Sequence, residues 1–324
     1  MRKANTISVS IGKHRAVSGL ALLLIVVALL LASCAGGGGG GGGTTSGGET
    51  SSETSSMGGM TGMDHGEKGM PGMQGMAMEM PTVDPATAGL KVDLTSDPAH
   101  ARPNQQTALH YLITGTNSST PLTNFPIEHE RPMHLVAVSE DLSQFQHLHP
   151  EVGPDGTWSA TTTFPETANY VLFDEFVYNG QQVLDRREFM VGEASPTSAS
   201  LSPDLSAKTE AGLTASLSAP ETINAGEDTS FTLQVTRDGR PVTDLEPYLG
   251  APAHVVIVSS DTRDFAHTHG EVNGMESMDS PPPSAFGPDI SVHHTFPRAG
   301  LYKIWFQFGY QGSVITVPYV VEVK

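Results

Sequence analysis

The stretch "MHLVAVSEDLSQFQHLHPE" occupies residues 133–151, and "AHVVIVSSDTRDFAHTHGE" occupies residues 253–271. Laid over one another without a gap they agree at 9 of 19 positions, among them His134/His254, His147/His267 and His149/His269. The first copy reads as a β-hairpin, with HLVAVS as one strand, EDLS as the turn and QFQHLHP as the returning strand. A two-residue loop at Asp141-Leu142 pairs 134 with 149, 136 with 147 and 138 with 145. Side chains alternate along a strand, so one face then carries His134, Val136, Val138, Phe145, His147 and His149. The second copy places His254, Val256, Val258, Phe265, His267 and His269 on the equivalent face. Asp-Leu is a poor two-residue hairpin loop, and one more residue there would send His134 to the opposite face. His147 and His149 share a face in any register.

Outward from this hairpin the texture is the same. Segments such as KVDLTSDP, TALHYLITG, WSATTTFP, YVLFDEFV and REFMV alternate apolar and polar residues and are separated by Pro, Gly, Asn or Asp. Short strands with turn residues between them predict an all-β sandwich, immunoglobulin-like or cupredoxin-like, without helices of ordinary length. A second set follows in the same order, with Tyr170/Tyr302, Phe173/Trp305, Phe176/Phe308, Tyr178/Tyr310 and Gly180/Gly312 in register. The offset is 120 residues up to the histidine pair and 132 after it, so the second copy carries a 12-residue insertion around GMESMDSPPPSA. The expected organisation is a sandwich at 87–193, a linker at 194–208 and a second sandwich at 209–324, each copy of ordinary domain size.

Opposed strand residues have Cβ atoms about 5 Å apart, so three imidazoles on one hairpin face can close on one ion in each copy. Imidazole is the commonest transition-metal ligand, and nitrogens without thiolate suit Zn(II), Cu(II) or Ni(II). An electron-transfer copper site is excluded by the missing thiolate. The competing reading places the histidines at the rim of the core, holding loop carbonyls. Asp141/Asp261 and Glu151/Glu271 also recur; they read as turn formers, with Glu151 or Glu271 able to support a ligand from behind. His100, His110, His129 and the pair His293-His294 have no counterpart in the other copy and read as ordinary surface or core residues.

The N-terminus has its own character. Arg2, Lys3, Lys13 and Arg15 precede an apolar run that ends at Leu31-Ala32-Ser33-Cys34, which reads as an export signal over residues 1–33. The junction resembles the lipobox of bacterial lipoproteins, which implies a lipidated Cys34 and an extracytoplasmic, membrane-anchored protein of the cell envelope. There is one cysteine, so disulfides and thiolate metal sites are excluded. Without the signal, 17 basic residues become 13 against 35 acidic ones, a formal charge of −22, which disfavours nucleic acid as a partner. Residues 34–56, with Gly36 to Gly43 unbroken, predict a flexible tether.

Residues 57–86 are predicted to be a disordered Met-rich segment. Met57, Met60, Met63, Met70, Met73, Met76, Met78 and Met80 are 8 of the chain's 13 methionines, in a stretch of 24 residues without aromatic, Leu, Ile or Val. Packing does not explain that bias, and thioether sulfur is a soft ligand that selects Cu(I). With His65, the segment resembles the Met-rich segments of periplasmic copper-resistance proteins. A low-complexity spacer or a sacrificial oxidant trap is the alternative.

The H…F-x-H-x-H-P repeat, with DLEPYLGAPAH leading into the second copy, resembles secreted bacterial duplicated β-sandwich proteins commonly described as heavy-metal-binding. It departs from them at NFPIEHERPMH in the first copy and at Gly270 in the second. The resemblance implies metal binding without specifying a mechanism. No G-x-S-x-G, H-E-x-x-H, nucleophilic Cys or dinucleotide fingerprint is present, so an enzyme is not expected. The expected function is copper binding, Cu(I) on the methionines and Cu(II) or Zn(II) on the histidines, for buffering, resistance or delivery to another copper-handling envelope protein. The rival is an anchored, non-catalytic adhesion or binding module with structural histidines.

Overall fold

A computed structural model describes residues 81–193, 200–275 and 281–324. The signal, Cys34, the glycine tether, the eight methionines and His65 lie outside the described residues. Those described are all-β, in two tandem sandwiches. The first is built from β1 (Leu90–Asp97), β2 (Gln106–Gly115), β3 (His134–Ser139), β4 (Phe145–Leu148), β5 (Glu151–Val152), β6 (Trp158–Thr163), β7 (Ala168–Tyr178) and β8 (Gln181–Val191). One sheet has the order β1-β2-β6-β5 and the other β4-β3-β7-β8. Leu109, Tyr111, Ile113 and Trp158 from the first sheet pack on Leu135, Ala137, Tyr170, Leu172 and Phe176 from the second.

The second copy repeats the plan with β9 (Lys208–Glu210), β10 (Leu213–Ser218), β11 (Asp228–Arg237), β12 (Arg240–Pro241), β13 (His254–Ser259), β14 (Phe265–His269), β15 (Asp289–Thr295), β16 (Gly300–Tyr310) and β17 (Ser313–Val323). Its sheets are β12-β11-β10-β9, with β15 also on β11, and β14-β13-β16-β17. The duplication survives in detail: Glu151 pairs with Ser159, and Glu271 bridges Ser291 at the equivalent place.

Every residue of β3 and of β13 is buried, on both faces. One face of each strand looks into its own sandwich. The other carries Val136 and Val138, or Val256 and Val258, into a third apolar cluster that both copies share with Phe173 and Trp305. Phe145 stacks on Trp305 with centroids 4.9 Å apart, and Phe173 stacks on Phe265 at 4.4 Å. Since Phe145 is equivalent to Phe265 and Phe173 to Trp305, the two contacts are the same contact made in opposite directions. The sheets β4-β3-β7-β8 and β14-β13-β16-β17 therefore meet across a pseudo-twofold axis.

The hairpin register is the expected one: Val136 pairs with His147 and Val138 with Phe145, while His254 pairs with His269 and Val256 with His267. The expected two-residue loop is corrected. Ser139 N–H donates to Gln144 O at 3.2 Å and Leu142 N–H to Ser139 O at 2.7 Å, which makes a four-residue loop over 140–143. Leu142 and Thr262 close the two turns with φ of 57° and 56°. A four-residue loop preserves the parity of a two-residue one, so the same side chains share a face. Asp141 accepts from Ser143 N–H and from Ser139 Oγ, which is a turn-forming part.

β14 is one residue longer than β4 because Gly270 N–H donates to Ala253 O at 2.8 Å, a bond that Pro150 cannot make. A Cβ at Gly270 would run into Ile290 Cγ2, so a larger residue does not fit there unless Ile290 shifts. Two boundaries also shift. Val83 donates to Gln182 O and accepts from Leu184 N–H, so the chain is ordered several residues before 87. In the stretch expected to be linker, Asp204 exchanges two backbone bonds with Val320 and Leu201 packs on the shared cluster. Both segments carry an apolar residue with a place to bury it, which composition alone does not register.

Candidate metal centre

Beyond Val136 and Val256, the shared face of the two hairpins changes from apolar to imidazole. His134 opens β3, His147 lies in β4 and His149 follows it; His254 opens β13, and His267 and His269 lie in β14. The fold does not hold the two histidine triads apart, one within each sandwich. Because the histidine faces of both copies are turned toward each other, the rings form one cluster. One nitrogen from each of His134, His147, His254 and His267 lies within 4.8 Å of one from every other. His134 is 5.0 Å from His267 and 5.9 Å from His254, between centroids, and His147 is 4.8 Å from His267.

The outer nitrogens of these four rings all meet acceptors. His147 Nδ1–H donates to Gln307 Oε1 at 2.8 Å, and His267 Nδ1–H donates to Glu175 Oε2 at 3.0 Å. His134 Nε2–H donates to Glu128 O at 3.1 Å and His254 Nε2–H to Leu249 O at 3.4 Å. A carbonyl or carboxylate oxygen cannot donate, so these bonds place the protons on the outer nitrogens. The inner nitrogens then carry lone pairs, and they face each other. His134 Nδ1 is 3.1 Å from His147 Nε2, and His254 Nδ1 is 2.9 Å from His267 Nε2. Lone pairs at that separation repel unless a cation lies between them.

Protonation of the rings themselves is opposed. Burial, reinforced by neighbouring imidazoles, lowers His147, His254, His267 and His269 well below the ordinary histidine value. His149 is lowered to about 3 by the same two causes, and His134 is lowered chiefly by burial, against the pull of Glu128 O and Glu175. The cluster thus presents neutral imidazoles, the form that binds a metal, with no proton to displace. Nitrogen-only ligation of this kind suits Zn(II), Cu(II) or Ni(II).

Glu175 and Gln307 occupy equivalent positions in β7 and β16, and each supports a histidine of the opposite copy. They take the supporting place that Glu151 and Glu271 were expected to fill. Glu151 is exposed, and Glu271 is engaged through its backbone with Ser291. His129 corrects another expectation. It stacks on His269 with centroids 3.4 Å apart, and its φ of 48° is followed by 64° at Glu130, in a two-residue turn closed by Glu128 and Arg131. Such a turn favours Asn-Gly, and the second copy has Leu249-Gly250 there. A non-glycine pair held at positive φ is the strain that accompanies functional positions. Of the remaining unmatched histidines, His110 bonds Ser159 and His293 bonds Asp228 away from the centre.

A cleft of about 770 Å³ leads to the centre, with His129, His134, His267, His269 and Glu175 in its walls. Pro81 and Thr82 line it as well. His294, buried in β15, borders the same cleft, which the absence of a counterpart in the first copy concealed.

A family model, described only as a domain of unknown function, matches the chain twice, at residues 84–192 and 207–324. No curated protein matches. Among solved structures, Salmonella alpha-2-macroglobulin reacted with methylamine is similar at 12% identity and TM-score 0.26, over 75% of this chain and 15% of that one. The Yersinia pseudotuberculosis adhesin InvE is similar at 10% identity and TM-score 0.23, over 72% and 60%. Trypsin-activated alpha-2-macroglobulin from Escherichia coli gives 11% and 0.24, over 75% and 16%. The chain spans less than two thirds of the length of each.

Proposed function

The chain belongs to the family Domain of unknown function (DUF8832), and from its own side chains we propose that it is a metal-binding lipoprotein of the bacterial envelope. Cu(II) or Zn(II) is held by the imidazole centre between the two sandwiches, and Cu(I) by the Met-rich segment. The role is buffering or passing on the ion, without catalysis. Cys34 carries the lipid that tethers the chain.

The observation that carries this reading is the disposition of lone pairs. All four outer nitrogens are committed to acceptors, and the inner ones face each other at 3.1 and 2.9 Å. His134 and His254 each hold a loop carbonyl with one nitrogen, but bracing a loop does not turn the second nitrogen of each ring onto another imidazole. The supporting carboxylate at Glu175 and amide at Gln307 are the partners that fix ring orientation at metal sites and raise ligand basicity. The path from the methionines has support of its own. Met80 is followed by Pro81, which lines the cleft that holds His267 and His269. The sequence thus joins the methionine segment directly to the rim of this cleft.

The test is a chelator-competition titration of the mature chain with Cu(I), Cu(II) and Zn(II). It includes the His147→Ala/His267→Ala variant and a deletion of residues 57–80. The deletion should abolish Cu(I) binding and spare Zn(II), and the histidine variant should do the reverse. Absence of Cu(II) and Zn(II) binding by the unmodified chain would remove the metal reading, and undiminished Cu(I) affinity after the deletion would remove the methionine role.

A further inference from the structure

His149 and His269 differ from the other four rings of the cluster. Nε2 of each is buried from solvent without a hydrogen-bond partner. Leaving a buried polar nitrogen unpaired is costly, because it gives up its hydrogen bond to water and gains none in the protein. The two copies have diverged at more than half the positions of the hairpin, yet both keep this histidine at the equivalent place.

Each of these rings adjoins the pair of its own copy. His149 lies 5.0 Å from His134 and 4.7 Å from His147, and His269 lies 4.6 Å from His254 and 5.2 Å from His267, between centroids. His149 and His269 thus each join the pair of their own copy, giving two triads that meet at the four inner rings, where His147 and His267 at 4.8 Å are as close as rings within a triad. A single ion among His134, His147, His254 and His267 would leave both Nε2 atoms unpaired. Two ions, one to a triad, engage both of these atoms together with the four inner nitrogens.

Resting on the metal reading above, we propose that the centre is dinuclear. One ion is bound by His134 Nδ1, His147 Nε2 and His149 Nε2, and the other by His254 Nδ1, His267 Nε2 and His269 Nε2. One nitrogen of each of the four inner rings lies within 4.8 Å of the others, which makes the two ions close neighbours. Divalent ions at that range repel strongly. Water entering by the cleft supplies hydroxide as the bridge, its proton leaving to solvent, which offsets part of the repulsion. Glu175, on His267, adds negative charge on one side.

Equilibrium dialysis of the full mature chain against Zn(II), with chelator setting the concentration of the unbound ion and the bound metal measured by mass spectrometry, tests this directly. Two zinc ions per chain are expected for the unmodified protein, and one for His149→Ala and for His269→Ala. Retention of the thermal transition shows that each variant is folded. A second measurement that needs no variant is electron paramagnetic resonance of the Cu(II)-loaded centre. Bridged Cu(II) ions should give far less signal than the copper content demands. A stoichiometry of one in the unmodified chain, two in either variant, or a full-intensity signal overturns the dinuclear assignment. A stoichiometry of zero overturns the metal reading on which it rests.

Discussion

His147 of the first repeat donates from Nδ1 to Gln307 Oε1 of the second at 2.8 Å, and His267 returns the same bond to Glu175 of the first. Neither copy completes its histidine cluster alone, because each supplies the support for a ring in the other. Duplication of one sandwich, followed by face-to-face docking of the two histidine-bearing sheets, creates a polar centre at one end of an apolar seam.

The exchanged supports give the first expectation. Glu175→Leu and Gln307→Leu should each weaken Zn(II) binding about 10- to 100-fold, the usual effect of removing a ligand's hydrogen-bond partner. Gln307→Glu, which copies the first repeat's residue, should tighten it. Chelator competition reads all three, and unchanged affinities would show that the outer nitrogens need no orientation.

The metal-free protein should lose stability in mild acid. All six rings have folded pKa values below the ordinary 6.5, with burial as the leading cause and His149 at about 3. Below about pH 6.5 the unfolded chain takes up protons that the folded chain refuses. Stability is therefore fully present above that pH and is lost as pH falls toward the folded values, by up to about 1.4 kcal/mol per pH unit for each ring kept neutral. Urea unfolding in excess chelator at pH 7.5 and 5.5 should show the loss, with a smaller one in His147→Ala/His267→Ala. Equal losses in the two proteins would place the sensitivity elsewhere.

Asp174 has the opposite sign. It is fully buried in the first sandwich, and burial, with Asp185 nearby, raises its carboxyl well above 3.8. The folded state then holds a proton that the unfolded state releases, so its contribution is greatest below about pH 3.8 and is lost as pH rises. Phe306 stands at the equivalent place in the second sandwich, where there is no such burden. Asp174→Asn should raise stability at pH 7 by about 1 kcal/mol or more and change little at pH 3.5, because keeping that proton on the folded chain becomes costlier at each step toward neutrality. A gain equal at both pH values would rule out the carboxyl proton as its source.

The apolar seam should be the larger source of cohesion. Phe173→Ala removes a ring stacked on Phe265 and should cost about 3–5 kcal/mol. Trp305→Phe, which installs the first repeat's residue, should cost less than about 1.5 kcal/mol. Denaturant unfolding followed by tryptophan fluorescence and by circular dichroism measures both. A Phe173→Ala cost below about 1 kcal/mol, far under the usual range for a buried ring, would mean that the repeats are held together by something else.

Much of this was legible in the residues. The repeated spacing of His134, His147 and His149 gave the register, since a four-residue loop and a two-residue loop place the same side chains on one face. Val136, Val138 and Phe145 on that face are apolar, which required a cover. One copy read alone cannot say that the cover is the other copy. His129 was concealed by the repeat itself: Leu249 is its counterpart, so the comparison that singled out the six paired histidines set aside the seventh. Glu175 and Gln307 were hidden because a carboxylate and an amide do not look like one role until both are seen behind an imidazole.

X-ray absorption of the Zn(II)-loaded mature chain bears most directly on the claim that the ion sits among these imidazoles. Nitrogen scatterers at about 2.0–2.1 Å, with the outer-shell pattern of several imidazole rings and no sulfur at about 2.3 Å, are the expected result. A first shell of carboxylate or water oxygen, or of methionine sulfur, would contradict it.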